Sequence, residues 1–251
     1  MRRNRCAGAL LASAVLLFAL CAGTARMSAA ASELPSSARW KPNVNYTVLS
    51  PAQPTNAPPG KVQVMEFFYL ACPYCHALEP DLEAWRKSKP RYVQFVRVPV
   101  TWAPLYTADA RLYYTLEAMG RDDLVGTAFN TIHRLEQAAG GEENVLVGDS
   151  PARTIALQEA FVERHGATAD AFLNAYRSFD VLVELGRATR LWKTFNVTRT
   201  PTIIIDGRYE TGPSPYFRFN PKRPPYGTGD HRLIKLIDFL TRWDHAHPQA
   251  G

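Results

Sequence analysis

Hydrophobic and polar positions divide the chain into runs of distinct period. Lys61–Leu70 alternates at first and then turns continuously apolar, the pattern of a strand buried on both faces. After it, Cys75, Leu78, Leu82 and Trp85 recur at spacings of three, four and three, which is one face of an amphipathic helix running to about Ser88. Tyr92–Val100 reads as a second strand, so Lys61–Val100 is a strand, helix, strand unit of the type that builds a parallel pair. From Thr107 to about Asn196 helical periods take over, with apolar sets such as Leu112, Leu116, Met119 and Phe172, Leu173, Tyr176. Loops are marked there by Gly140-Gly141 and Asp149-Ser150-Pro151. Thr202–Ile205, the turn Asp206-Gly207 and Arg208–Thr211 then predict a hairpin, because Asp-Gly supplies the positive φ angles of a type I′ turn. His231–Trp243 closes the chain as a helix with Leu233, Ile234, Leu236, Ile237 and Leu240 as its apolar set.

The order is strand, helix, strand, a helical block, hairpin and helix. Removing the block leaves a compact α/β sandwich, so residues 107–185 read as an insertion between its halves, 61–106 and 186–246. Residues 32–60 are a proline-rich lead-in with one short strand candidate at Asn45–Leu49.

The N-terminus changes what the totals mean. Arg2, Arg3 and Arg5 precede an almost unbroken apolar run from Ala7 to Ala22, followed by small residues to Ala31, the pattern of a cleavable secretory signal peptide over residues 1–31. The run is shorter than the roughly 20 residues a membrane-spanning helix needs. Leu20 stands where a lipoprotein signal would place a small residue before Cys21. Cleavage could follow Ala25, Ala30 or Ala31. With 46% hydrophobic and 21% charged residues the chain is ordinary globular material, neither disordered nor fibrous. Its formal charge of +6 suggests an acidic partner, but removal of 1–31 takes away four of the 29 basic residues and none of the 23 acidic ones. The remaining +2 is too weak to argue for nucleic acid or anionic lipid. Cys6 and Cys21 leave as well, so the exported chain keeps only Cys72 and Cys75.

Disulfides persist outside the cytosol, yet a loop of two intervening residues adds little stability. Such a pair is there to react. Cys72-Pro73-Tyr74-Cys75-His76 stands where the buried strand gives way to a helix. The unpaired amides and positive dipole end of that helix favour an anion at its first residue, and Pro73 suits the first helical position because it lacks an amide hydrogen. Cys72 is then expected as the exposed sulfur of low pKa, and Cys75, on the apolar face with Leu78 and Leu82, as its sheltered partner of higher pKa. A structural zinc site needs two more ligands, and His76, His133 and His165 form no second pair at suitable spacing. Cys72–His76 also matches the CxxCH attachment pattern of c-type haem, an electron-carrier alternative. Against it, the motif follows a continuous apolar strand in an α/β chain that is large for such a module. His76 either donates to the Cys72 thiolate or faces solvent in the first helical turn. The loop Pro213–Gly227, with Tyr216, Phe217, Phe219, Lys222, Arg223 and Tyr226, either flanks a peptide groove or is a solvated surface loop.

Glu66-Phe-Phe-x-x-x-Cys72-Pro-x-Cys75, the segment Leu112-Tyr-Tyr-x-Leu-Glu-Ala-Met-Gly120 and Val197-x-x-Thr200-Pro201-Thr-x-x-x-Asp-Gly-x-Tyr209 together resemble the DsbA family of exported thiol:disulfide oxidoreductases. The resemblance runs from about Asn45 to Trp243. It implies a thioredoxin fold with an inserted α-helical domain. It also implies a Cys72 that attacks and is attacked, a Cys75 that resolves, and Thr200-Pro201 as a cis-proline loop packed against the disulfide. Backbone freed by that loop would pair with an extended substrate. Glu66 matches the acidic residue the family places beneath the active site, where it could exchange protons with Cys75; the alternative is an edge-solvated Glu in an alternating strand. No bound cofactor or metal is implied, only the redox-active disulfide. The implied setting is the periplasm, with reduced secreted proteins as substrates, a membrane quinone reductase of the DsbB kind as reoxidant, and a monomer.

Two departures qualify the direction of exchange. Tyr74 makes the dipeptide Pro-Tyr, as in glutaredoxins, where the DsbA type usually has Pro-His, and Thr200 precedes the proline as in the periplasmic isomerases, where the oxidase type commonly has Val. Potentials in this chemistry run from about −120 mV for DsbA itself to roughly −200 to −230 mV for glutaredoxins, a gap of about 4 kcal/mol. An isomerase or reductase is therefore the alternative within the same chemistry. Isomerases of this type usually add a dimerisation domain, and only residues 32–60 precede the fold here.

Overall fold

The computed structural model describes residues 34–139, 144–213 and 231–248. The expected signal peptide, and nearly all of the loop Pro213–Gly227, lie outside them.

Among the described residues, seven helices surround a five-stranded sheet. β1 (Thr47–Val48), β2 (Val62–Phe68), β3 (Val93–Pro99), β4 (Thr202–Ile205) and β5 (Tyr209–Thr211) lie in the order β1-β5-β4-β2-β3. β2 is parallel to β3 and antiparallel to β4. Flanked by β4 and β3 and covered on both faces, it has all seven of its residues buried, which is why its sequence is apolar rather than strictly alternating. The hairpin forms as expected: Asp206 and Gly207 have φ of +48° and +65°, the two positive values of a type I′ turn. A Cβ on Gly207 would stand 1.9 Å from the Gln53 carbonyl oxygen, so the lead-in locks onto this turn only because the position is glycine.

Two apolar clusters flank the sheet. On one face Val62, Val64, Ile203 and Ile205 meet Leu78, Leu82 and Trp85 of α1 (Pro73–Ser88) and Leu236, Ile237 and Leu240 of α7 (Arg232–Ala246). Burying each such side chain contributes about 1.5–3 kcal/mol, and Trp85 Nε1 donates to Asp238 Oδ1 at 2.7 Å, tying α1 to α7. The other face meets the helical block: α2 (Pro104–Ala118), α3 (Asp123–Ala139), α4 (Pro151–Arg164), α5 (Ala169–Tyr176) and α6 (Phe179–Thr194). No strand interrupts 104–194 among the described residues. The block begins at Pro104, and α6 runs unbroken across position 185 before the chain returns to β4.

Candidate active site

The cysteine pair lies where β2 hands over to α1. Cys72 is the N-cap of α1, with φ −77° and ψ 115°, and its Sγ accepts from the Cys75 amide at 3.3 Å, the bond a serine or aspartate oxygen makes at other helix starts. Pro73 occupies the first helical position and Tyr74 the second, both exposed. Both sulfurs are free thiols.

Cys72 departs from expectation in one respect. It is buried, with 2% of its surface accessible, not exposed. The cover comes from far along the chain: the Thr200-Pro201 peptide, which is cis, brings the Thr200 hydroxyl to 3.3 Å from Cys72 Sγ and the Thr200 carbonyl to 3.6 Å. Ser50-Pro51 is cis as well, with no sequence signal to announce it. Burial pushes the Cys72 thiol up, but hydrogen bonds from Cys75, from the Thr200 hydroxyl and from the backbone at Cys75 and Tyr74 outweigh it, so the thiol ionises below its ordinary range. Cys75 is sealed completely, and burial, then its neighbour Cys72, hold it well above the ordinary value. The two sulfurs are thus poised in opposite directions, as their helical positions predict.

Glu66 is not edge-solvated. It is 1% exposed in the interior strand β2 and accepts from Arg97 Nε at 2.9 Å, from the adjacent position of β3. Arg97 also donates to Glu79 of α1 at 2.5 and 3.2 Å, and lies 5.8 Å from the Phe68 ring centroid. Burial raises Glu66 to about 7 although the Arg97 charge opposes it, and the Glu66 charge in turn contributes to the raising of Cys75. Beside Arg97 opens a cavity of about 430 Å³ lined by Glu83, Arg86, Tyr113, Glu117 and Arg187. Sequence reasoning missed Arg97 and Glu79. The signal for Arg97 was a charge in a mostly apolar strand; Glu79, in α1, beside Leu78 of its apolar face, had none as clear.

His76 lies partly exposed in the first helical turn, nearer the second of the two positions considered for it, but with partners from α3. Its Nε2 pairs with Asn130 Oδ1 of α3 at 2.9 Å, and its ring stacks on His133 at 4.4 Å between centroids. A c-type haem would need both sulfurs and the His76 ring to face one open cavity; Cys75 is enclosed and His76 is turned to α3. Among the described residues no three His, Cys, Asp or Glu side chains are grouped to hold a metal ion.

The chain is similar to known proteins in both sequence and fold. A family model described as thioredoxin matches residues 57–220. The thiol:disulfide interchange protein DsbA of Burkholderia cepacia is 34% identical over 234 residues, covering 93% of this chain and 95% of that one. The protein of the same name from Pseudomonas syringae is 33% identical over 201 residues, 80% and 84% of the two chains. The crystal structure of Pseudomonas aeruginosa DsbA superposes with a TM-score of 0.67 at 26% identity, covering 82% of this chain and 95% of that one. A cysteine-capped helix facing a Thr-Pro loop on a thioredoxin sheet, with likeness along almost the full length of both sequences, means that this chain belongs to the DsbA family of thiol:disulfide interchange proteins.

Proposed function

We propose that the chain is a periplasmic dithiol oxidase that donates a Cys72-Cys75 disulfide to newly exported proteins, with Cys72 and Cys75 as its catalytic residues. A substrate thiolate attacks Cys72 Sγ, the disulfide breaks, and its electron pair goes to Cys75, whose raised pKa favours taking up a proton. The substrate's second thiolate then attacks its own sulfur in the mixed disulfide and expels Cys72 as thiolate. Substrate loses two electrons and the enzyme gains them. A membrane quinone reductase of the DsbB kind removes them again, and no bound cofactor is needed.

Thr200 and Pro201 cover Cys72, and the Thr200 hydroxyl stabilises the leaving thiolate. Glu66, its pKa raised toward neutrality by burial, exchanges the proton with Cys75. Pro73, Tyr74 and His76 shape the first turn. The observation that carries the reading is the asymmetry of the pair: one sulfur accepting several hydrogen bonds at a helix N-cap, the other enclosed and unable to ionise easily. A stabilised thiolate makes the disulfide the better oxidant.

Oxidation of a reduced, unfolded substrate by the oxidised protein tests it, with Cys72→Ser expected to abolish transfer. Titration against glutathione sets the direction. A potential near that of thioredoxin, about −270 mV, sinks the oxidase reading in favour of a reductase, and recovery of the mature chain in the cytosolic fraction sinks the periplasmic one.

A further inference from the structure

Between the end of β2 at Phe68 and the start of α1 at Pro73, the backbone leading into Cys72 belongs to neither element. Its Leu70–Ala71 peptide group is met on both sides by side chains of the helical block. The Leu70 carbonyl accepts from His133 Nε2 of α3 at 3.0 Å, and the Ala71 amide donates to Asp109 Oδ2 of α2 at 3.4 Å. Both side chains are buried, Asp109 to 1% and His133 to 4% exposure.

Each of the two is itself fixed. Asn144 Nδ2 donates to Asp109 Oδ1 at 2.5 Å, while the His133 ring lies flat against His76, 4° from parallel, and Asn130 holds His76. A carbonyl can only accept, so His133 carries its hydrogen on Nε2. Burial, and then the neighbouring His76, depress His133 to about 4, so the ring is neutral across the physiological range. Polar groups this deep are costly unless they are used. Here one polar atom of each meets the same peptide plane, the one that sets the direction in which the chain turns into Cys72. The next amide, Cys72 N, bonds back to Tyr69 O at 3.1 Å.

We infer that Asp109 and His133 are positioning residues for Cys72: by clamping the Leu70–Ala71 peptide from the helical block, they hold Cys72 Sγ within reach of the Cys75 amide and the Thr200 hydroxyl. Those two bonds are 3.3 Å long, close contacts for an atom as large as sulfur, and both donors are fixed to other elements, so a change in where the chain turns into Cys72 lengthens or misaligns them. The helical block thereby acts on the chemistry of a cysteine it does not carry. This role rests on Cys72 being the exchanging sulfur.

The test follows the ultraviolet absorbance of the Cys72 thiolate against pH in the reduced full chain. His133→Leu removes the donor and Asp109→Leu the acceptor. Each is expected to raise the midpoint and cut the thiolate present at neutral pH about fivefold or more. His133→Gln and Asp109→Asn, which keep a donor and an acceptor, should recover most of it, and the rate of exchange with a small disulfide should follow the thiolate. Should a leucine variant not fold, His133→Asn, whose shorter amide falls short of Leu70, carries the same expectation. Midpoints at the wild-type value in folded variants, with only Tm lowered, would overturn the clamp. A wild-type protein that titrates as expected but transfers no disulfide to substrate sinks the oxidase reading instead, so the two failures are distinguishable.

Discussion

Replacing Thr200 by valine removes one hydroxyl and keeps the shape. Thr200 touches Cys72 twice: its hydroxyl donates to Sγ at 3.3 Å, and its carbonyl accepts from the thiol at 3.6 Å. Valine keeps the carbonyl, so the protonated form loses only a weak contact to a neutral sulfur while the thiolate loses a charge-assisted donor. A hydrogen bond to a charged partner contributes about 1.5–3 kcal/mol; with a sulfur acceptor and a donor on half-buried Thr200 the lower end applies. At roughly 1.4 kcal/mol per pKa unit, Thr200→Val raises the Cys72 midpoint by about one unit, and the two-electron potential falls by about 30 mV toward the reducing side. Thiolate absorbance reads the first and equilibrium with glutathione the second. The reduced form supplies a third readout. A thiol whose pKa is lowered on folding adds stability above its unfolded value of about 8.5, and that stability is lost as pH falls through the folded value. Thr200→Val should therefore destabilise reduced protein at alkaline pH and leave it unchanged in acid. A midpoint that stays put, or moves down, refutes the assignment of the hydroxyl as a thiolate donor.

Glu66 has the opposite sign. Its folded pKa of about 7 lies above the ordinary 4.5, so the folded state holds the extra proton and the contribution of Glu66 to stability is lost as pH rises from about 4.5 through 7. Urea unfolding of Glu66→Gln should show a shallower decline than wild type across that window, and equal slopes would count against a buried, proton-holding carboxyl. Gly207→Ala should lower stability by more than about 1 kcal/mol, since it forces a side chain into positive φ and onto the Gln53 carbonyl; an unchanged Tm would mean the lead-in is not seated on the turn. Phe129, 1% exposed and packed on Phe68 and His76, should cost about 3–5 kcal/mol on truncation to alanine, and a loss below about 1 kcal/mol in urea unfolding would show that α3 does not brace the active-site strand.

Local rules carried the sequence reading a long way. The N-cap position of Cys72, the buried face Cys75, Leu78, Leu82, Trp85 and the Asp206-Gly207 turn all follow from spacing within a few residues, and each is where it was expected. What spacing does not report is what arrives from elsewhere. Cys72 reads as exposed because helix N-termini usually are, and its cover, Thr200, comes from 128 residues away. Glu66 admits a solvated reading until the register sets it opposite Arg97 in β3, with Glu79 on the helix above. His76 has no partner in its own sequence neighbourhood; Asn130 and His133 sit some fifty residues on, in a block whose helices were legible but whose facing surfaces were not.

The strand order gives this protein a timetable. β2 pairs with β3 after about thirty residues, but its other edge is completed only by β4, since Val64 pairs with Ile205 and Phe67 with Thr202. A chain made from its N-terminus therefore exposes its cysteines long before Thr200 and Pro201 have been synthesised. Until they arrive Cys72 lacks both its cover and one donor to its sulfur, so an incomplete chain carries the two thiols without the environment that tunes them. Placing the block between β3 and β4 makes reactivity a property of the finished molecule, acquired when the last strands close the sheet.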